Sequence, residues 1–108
     1  MGGVAASADV FRAVADPTRR SMLELLRQAE RSVHELAGPF QMTRPAVSQH
    51  LRVLREAGLV KARRVGREHV YRIQAAPLRQ LYDWAAGFKA FVDPGGHVWS
   101  IRPRRGKP

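Results

Sequence analysis

The sequence predicts a mainly α-helical domain with one small antiparallel β-hairpin, in the element order ααααββα. Apolar residues recur at helical spacing through most of the chain, capping residues divide this pattern into separate helices, and the spacing becomes alternating after Gly58. The chain has 108 residues, enough for one hydrophobic core and too few for two. We expect the domain to occupy residues 1–101, with a basic, mobile tail at residues 102–108.

The dipeptide Asp16-Pro17 separates the first two helices. Apolar side chains at positions 10, 11 and 14 lie at helical spacing just before it. Asp is a favoured N-cap and Pro a favoured first helical residue, so one helix ends here and another begins. The second helix directs most of its leucines inward and is predicted to end near Gln28.

The third helix begins with a capping signal in the stretch SVHE. Ser32 and Glu35 are spaced for a capping box, in which each side chain accepts a hydrogen bond from the other residue's backbone amide. The following Gly38-Pro39 breaks the helical pattern. We therefore expect this short helix to end after Ala37.

The fourth helix is predicted from Thr43, a good N-cap, to about Ala57. Pro45 is tolerated in the first turn because amides there have no partner within the helix. Gly58 then offers the left-handed backbone that commonly terminates a helix.

A basic hairpin and one more helix follow. Residues 59–64 and 68–73 alternate in polarity as two strands, joined by a turn at residues 65–67. Pro77 opens the last helix, which is predicted to reach Phe91 before the stretch DPGG stops it. Two short helices with a tight connection, followed at once by a basic hairpin, describe a winged helix-turn-helix.

The net charge of +10 is concentrated in two segments. Residues 43–72 carry eight basic side chains against two acidic ones, the tail from Arg102 adds four basic ones, and the rest of the chain carries seven of each. A protein that binds a polyanion concentrates its charge on the contacting face, whereas a solubilising surface spreads it. The distribution therefore favours nucleic acid as the partner.

The composition also excludes several classes of function. Without cysteine the chain carries no disulfide, thiolate zinc site, iron–sulfur cluster or cysteine nucleophile. No Ser-His-Asp or paired-carboxylate arrangement coincides with a glycine-rich loop, so we expect no enzyme, no cofactor and no metal. No apolar run approaches the roughly 18 residues of a membrane span, and a secretory signal is lacking, so we expect a cytoplasmic protein.

The fourth helix has an apolar face and a polar face. Val47, Leu51 and Leu54 cluster on one side at about 100° per residue, which directs the polar side chains outward. A helix fits the major groove of B-DNA, where Gln pairs with adenine, Arg with guanine, and Ser with donors or acceptors. The residues of this helix expected to contact DNA are Thr43, Arg44, Pro45, Ser48, Gln49, His50 and Arg52.

Several of these assignments have alternatives. Thr43 caps the helix, and the exposed amides beside it suit a phosphate. His50 lies at the edge of the polar face, as either a boundary histidine or a phosphate contact. In the hairpin, or wing, Arg63, Arg64 and Arg67 are expected on the DNA backbone or in an adjacent minor groove. An ordinary solvated helix face is the simpler explanation, which the neighbouring basic hairpin disfavours.

The last helix holds four of the chain's eight aromatic residues. A single small domain has too few other elements to bury apolar side chains on so many faces of a terminal helix. These side chains therefore either close the core or form a surface shared by two protomers, and we favour the shared surface. The expected interface residues are Val10, Phe11, Val14, Leu78, Leu81, Tyr82, Trp84, Phe88 and Phe91.

The stretches ADPTRRSMLELL (15–26), SVHELA (32–37) and TRPAVSQHLRVLREAGLVKARRVGREHVYRI (43–73) resemble the ArsR-type (ArsR/SmtB-like) bacterial transcriptional regulators, in order and at the usual spacing. The resemblance implies a homodimer, paired through its first and last helices, that represses transcription by binding an inverted-repeat operator in double-stranded DNA. A protein that binds nucleic acid without sequence preference is the main alternative.

Many regulators of this type release DNA when a metal binds cysteines before the recognition helix, or histidines and carboxylates in the last helix. Because SVHELA has no cysteine, this chain resembles the metal-independent members. Its signal is then a small molecule, a partner protein, a redox change or its own concentration. A metal site between subunits from Asp83, Asp93 and His97 is the alternative. The segment GGHVWSIRPRRGKP is either a docking strand, a DNA-contacting arm or disordered.

Overall fold

Six helices and three strands make up residues 9–93, the part of the chain that the computed structural model describes. In chain order they are α1 (residues 9–14), α2 (Pro17–Gln28), β1 (Arg31–Ser32), α3 (Val33–Phe40), α4 (Arg44–Glu56), β2 (Val60–Val65), β3 (Glu68–Ile73), α5 (Leu78–Ala86) and α6 (Lys89–Val92). Helices α3 and α4 with the β2–β3 hairpin confirm the predicted winged helix-turn-helix.

The hydrophobic core lies where α2, α3 and α4 meet the sheet. Met22, Leu36, Leu51 and Leu59 have no exposed surface. β3 is the central strand, with β1 and β2 antiparallel on either side of it, and its Tyr71 closes the core from the sheet. Burying these apolar side chains is the main favourable contribution to folding.

Two of the predicted helix starts are confirmed atom by atom. Asp16 Oδ2 accepts a hydrogen bond from the backbone amide of Arg19 at 3.0 Å. Ser32 Oγ accepts from the amide of Glu35 at 3.1 Å, and Glu35 Oε1 accepts from the amide of Ser32 at 2.8 Å. These bonds satisfy first-turn amides that have no partner within their helices.

Helix α3 continues through Gly38-Pro39 to Phe40, so the prediction that it ends after Ala37 was wrong. Proline holds φ near the helical value, and its missing amide costs one hydrogen bond close to the end of a short helix. Phe40 packs against the core. Gln41, with a left-handed φ of 53°, donates its amide to the carbonyl of Gly38 at 3.1 Å and ends the helix.

The last predicted helix is divided into α5 and α6, so a continuous helix to Phe91 was also wrong. At the junction the amide of Gly87 donates to the carbonyl of Trp84 at 3.2 Å, and that of Phe88 to Ala85 at 2.9 Å. These bonds reach three residues back instead of four. Glycine is a poor helix former, so the α-helical pattern is interrupted where it occurs.

Strand β1 was not predicted. Its two residues pair with β3, Arg31 opposite Tyr71 and Ser32 opposite Val70. A two-residue strand is too short to show alternation, so only its tertiary partner reveals it. The pairing attaches the start of α3 to the sheet.

The predicted end of α4 at Gly58 is confirmed. Gly58 has a φ of 77°, and its amide donates to the carbonyl of Arg55 at 2.9 Å. The amide of Leu59 donates to the carbonyl of Leu54 at 2.9 Å, which completes a Schellman motif. The chain is thereby turned from α4 directly into β2.

The first strand of the hairpin lies one residue later than predicted, at Val60–Val65 instead of residues 59–64. Its register runs from Val60 opposite Ile73 to Val65 opposite Glu68, so the turn consists of residues 66 and 67 alone. Gly66 has a φ of 62°, a backbone conformation that glycine adopts without steric cost.

Several predictions concern the chain ends. The tail at 102–108 and the segment from residue 94, with His97 and Trp99, lie outside the described residues. Within residues 9–93, no helix combines the length and the apolar character that crossing a membrane requires.

Replacing Gly58 by alanine should lower the free energy of unfolding by about 1–2 kcal/mol, because an L-residue is strained at this left-handed φ of 77°. Urea denaturation followed by circular dichroism measures the change. Gly38→Ala is the control: its φ is not in the left-handed region and no atom outside its own helix backbone and chain neighbours lies within 4 Å of an added Cβ, so it should cost less than Gly58→Ala, although the following Pro39 offsets the helix-forming gain of alanine. Equal midpoints for Gly58→Ala and the wild type would contradict the assignment.

Candidate nucleic-acid interface

Helix α4 turns one face into the core and the other outward, as predicted. Val47, Leu51 and Leu54 have no exposed surface. Arg44, Pro45, Ser48, Gln49 and Arg52 are all exposed, and we call them the polar strip. Three buried side chains on one face of a helix allow only one rotation of that helix about its own axis. The direction in which the polar strip faces is therefore fixed.

The N-terminus of α4 is capped as predicted. Thr43 Oγ1 accepts a hydrogen bond from the amide of Ala46 at 3.2 Å. Thr43, Arg44 and Pro45 are exposed, so the positive end of the helix dipole faces solvent. Such an end suits an anion.

The start of α4 and the tip of the wing meet in a groove of about 210 Å³, which we call the wing-side groove. Arg44 and Ser48 line it from the helix, and Arg67, Glu68 and His69 line it from the hairpin. The fold thus joins predicted helix and wing residues in one surface.

The three predicted wing arginines have different surroundings. Arg64 and Arg67 are exposed at the tip, where Arg64 Nε donates to the carbonyl of Gly66 at 3.3 Å. Arg63 lies farther down β2, and its NH1 is 2.6 Å from Glu30 Oε1. Arg63 is therefore partly neutralised by a carboxylate that follows α2.

A second groove, of about 500 Å³, lies where α1 and α2 approach α4, and we call it the helix-side groove. Arg52 lines it, with Nε 3.3 Å from Glu56 Oε2. Two residues that were not predicted from the sequence, Arg12 and Arg19, line the same groove from α1 and α2. Both precede the basic segment that the charge count singled out, and only tertiary packing brings them beside α4.

His50 occupies the boundary of the polar face. Its Nδ1 lies 3.3 Å from Arg19 NH1 and 3.9 Å from Asp16 Oδ2, and its side chain is 21% exposed. Arg19 also donates from Nε to the carbonyl of Ala13 at 2.8 Å and from NH2 to that of Arg12 at 3.1 Å. One guanidinium thus connects the end of α1 with the recognition helix.

Asp16 carries the negative charge of this junction. The hydrogen bond from the Arg19 amide lowers the pKa of the Asp16 carboxyl below its ordinary value. Partial desolvation opposes this effect, and the positive charge of Arg19 adds to it. The carboxylate is therefore the favoured form in the folded protein.

The last two helices present an aromatic surface formed by Tyr82, Trp84, Phe88, Phe91 and Val92, each between 47% and 71% exposed. The rings of Trp84 and Phe88 meet edge to face with centroids 5.2 Å apart. We use "aromatic surface" below for these five residues. No residue of α5 or α6 is buried.

The other predicted interface residues lie closer to the core. Val10 has no exposed surface and belongs to the core of the chain itself. Val14, Leu78 and Leu81 are half-buried and pack against that core. Phe11 extends the aromatic surface, since its ring lies 5.4 Å from that of Trp84 at 88°.

No group of three His, Asp or Glu residues suited to a metal occurs within residues 9–93. Asp83 is 2.9 Å from Arg79 Nε. His97, another ligand of the metal site that was considered as an alternative, lies outside the described residues.

Helix α4, with its exposed polar strip, occupies the place of the recognition helix, and the basic hairpin occupies that of the wing. The domain is therefore of the winged helix-turn-helix class. The profile of the Bacterial regulatory protein, arsR family, matches residues 16–62. The transcriptional repressor SdpR of Bacillus subtilis (strain 168) is 31% identical over 80 residues, which cover 74% of this chain and 89% of SdpR. The chain belongs to the ArsR family.

Two further relatives agree with this assignment. The HTH-type transcriptional repressor SmtB of Mycobacterium tuberculosis (strain CDC 1551 / Oshkosh) is 43% identical over 68 residues, which cover 63% of this chain but half of SmtB. The solution structure of the homodimeric winged helix-turn-helix DNA-binding domain of Mb0332 from Mycobacterium bovis superposes with a TM-score of 0.69. It is 28% identical, and the match covers 89% of this chain and 91% of that one. The named relatives are regulators and not enzymes.

Replacing Asp16 by asparagine should make stability less dependent on acid pH. A carboxyl whose pKa is lower in the folded state stabilises the protein above its unfolded pKa of roughly 3.9, and this contribution is lost as the pH falls through the folded value. Asparagine keeps an N-cap without titrating. Urea midpoints measured from pH 6 to pH 2 should therefore fall less steeply for Asp16→Asn than for the wild type; equal slopes would refute this role.

Proposed function

We propose that the chain is a sequence-specific DNA-binding repressor that acts as a homodimer on an inverted-repeat operator. The observation that carries the proposal is the exposed polar strip of α4, held in one orientation by three buried anchors and adjoined by the cationic wing tip. The names of the ArsR-family relatives SmtB and SdpR support repression in particular. A place in the cytoplasm, where bacterial DNA lies, belongs to the same proposal.

The polar strip suits the major groove. An α-helix with side chains has a diameter of about 10–12 Å, close to the groove width of about 12 Å. We assign base contacts to Arg44, Ser48, Gln49 and Arg52, since guanidinium and amide groups each make paired hydrogen bonds to a base edge. Thr43 and Pro45 direct the capped helix N-terminus toward a phosphate.

The wing supplies affinity more than selectivity. Arg64 and Arg67 are exposed at its tip, where phosphate contacts act on any duplex sequence. Arg63 contributes less, because Glu30 already engages it. His50 serves the fold at its junction with Asp16 and Arg19 and is not assigned to DNA.

The aromatic surface is the proposed dimer interface, together with Phe11 and Val14 of α1. Large exposed aromatic side chains are characteristic of interface cores and unusual on monomeric surfaces. The homodimeric structure of Mb0332 supports pairing in this family. A twofold axis between two recognition helices matches an operator whose half-sites are inverted. Cysteine thiolates take no part in release from DNA, because the chain has none.

The wild type should bind DNA upstream of its own or a neighbouring gene at least 1,000-fold more tightly than random duplex at physiological salt. Gln49→Ala should reduce this ratio by roughly 10- to 100-fold, since it removes one base-pair readout worth about 1–3 kcal/mol. Footprinting and competition binding measure both quantities.

The control is Arg67→Ala, which should weaken binding to operator and random duplex alike and leave their ratio unchanged. Equal affinity of the wild type for both DNAs would leave a non-specific nucleic-acid-binding protein and refute the repressor. If Gln49→Ala kept the wild-type ratio, the assigned face of α4 would be wrong.

Trp84→Glu should shift the protein from dimer to monomer and weaken operator binding, because a carboxylate would be buried without a partner in the interface. Sedimentation equilibrium gives the oligomeric state. Arg79→Glu is the matched control, since it places the same carboxylate on α5 outside the aromatic surface. If Trp84→Glu and Arg79→Glu both remained dimers, the aromatic surface would not be the dimer interface and would have another partner.

A further inference from the structure

We propose that the helix-side groove binds a phosphate of the DNA backbone, on the side of α4 away from the wing, and that Arg12 of α1 is its main contact. This inference rests on the proposed function and assigns a DNA contact outside the helix-turn-helix and wing. Six residues line the groove: Arg12, Arg19, Gln49, Arg52, Val53 and Glu56.

The two grooves lie on opposite flanks of the polar strip. With about 100° of rotation per residue, Arg44 and Ser48 lie within about 40° of each other, and they line the wing-side groove. Gln49 and Val53 lie about 140–180° around the helix from Arg44, and they line the helix-side groove. Arg52, about 80° from Arg44, also lines the helix-side groove.

DNA geometry requires a partner for each flank. The major groove is bounded by two phosphodiester backbones, so a helix lying in it has one backbone on either side. The wing-side groove, which carries Arg67, meets one of them. The surface that faces the other is formed by α1 and α2, and its cations are Arg12 and Arg19.

Arg12 is the cation available for this contact. It is exposed, and none of the carboxylates described within residues 9–93 forms an ion pair with it. Arg19 is held by two backbone carbonyls and adds a fixed positive charge behind it. A guanidinium with free donors matches a phosphate in charge and in geometry.

Glu56 is the one acidic residue in the groove lining, and it opposes an anion there. It is paired with Arg52 at 3.3 Å, and both side chains are more than half exposed. Exposed pairs of this kind contribute little, so Arg52 leaves Glu56 for a base edge at small cost, and Arg12 and Arg19 still outnumber the one carboxylate. The groove therefore carries net positive charge even with Glu56 in place.

The decisive variant is Arg12→Gln, compared with Arg79→Gln, which removes one exposed arginine from α5 away from both grooves. Arg12→Gln should weaken binding to operator and random duplex equally, by about tenfold. It should also reduce the slope of log affinity against log salt by about one for each protomer. Arg79→Gln should match the wild type, and Glu56→Gln should bind both DNAs about threefold more tightly.

Arg12→Lys separates charge from folding, because it keeps a cation at this position. It should retain the wild-type salt slope, and a slope as low as that of Arg12→Gln would overturn the proposal. Sedimentation of each variant checks that the dimer persists. If Arg12→Gln were monomeric, the slope of Arg12→Lys would decide.

Failure of this inference is distinguishable from failure of the proposed function. Wild-type selectivity for operator with identical affinities and salt slopes in Arg12→Gln and Arg79→Gln overturns the phosphate contact and leaves the repressor intact. Inorganic phosphate, titrated without DNA at constant ionic strength, should raise the melting temperature of the wild type at least as much as that of Arg12→Gln, because a site for a backbone phosphate also admits the free ion. A rise confined to the wild type, with equal DNA affinities, would assign the groove to a free anion and overturn the proposal.

Discussion

The packing of Val47, Leu51 and Leu54 into the core is the interaction on which the candidate interface depends. These side chains have no exposed surface, and they hold α4 against α2, α3 and the sheet. A densely packed core resists rotation of a helix, because turning it exposes apolar atoms and opens cavities. The polar strip thus needs no stabilising contacts of its own, and its side chains stay available for a partner.

Carboxylates within residues 9–93 pair with some of the cations around α4 and not with others. Glu30 engages Arg63, Glu56 engages Arg52, and Asp16 balances the junction of Arg19 and His50. The exposed cations Arg12, Arg44 and Arg67 lie in grooves on both sides of the polar strip. A count of basic residues along the sequence therefore overstates the positive charge near Arg63, where a carboxylate weakens the local field, and it overlooks Arg12, which lies outside the basic segment.

Local signals made most of the fold predictable, and non-local contacts account for the rest. The caps at Asp16, Ser32 and Thr43 and the glycine at 58 were predictable because each acts within a few residues. Strand β1 and the helical turn through Pro39 depend on partners distant in sequence, namely β3 and the core beneath Phe40. The recognition helix was predictable from its periodicity, whereas the helix-side groove needed the packing of α1 beside α4.

Helix α1 links the two proposed contact surfaces. Phe11 meets Trp84 on the aromatic surface, and the neighbouring Arg12 lines the helix-side groove. Successive residues of a helix point about 100° apart, so one short element faces both a second protomer and DNA. Arg19 bonds the end of this helix and approaches His50 of the recognition helix. Val10 of α1 is buried in the same core as the anchors of α4, so Arg12 and the polar strip keep a fixed relation within one protomer. A shift of one protomer against the other would therefore carry both surfaces together and change their spacing from the second copy on the DNA.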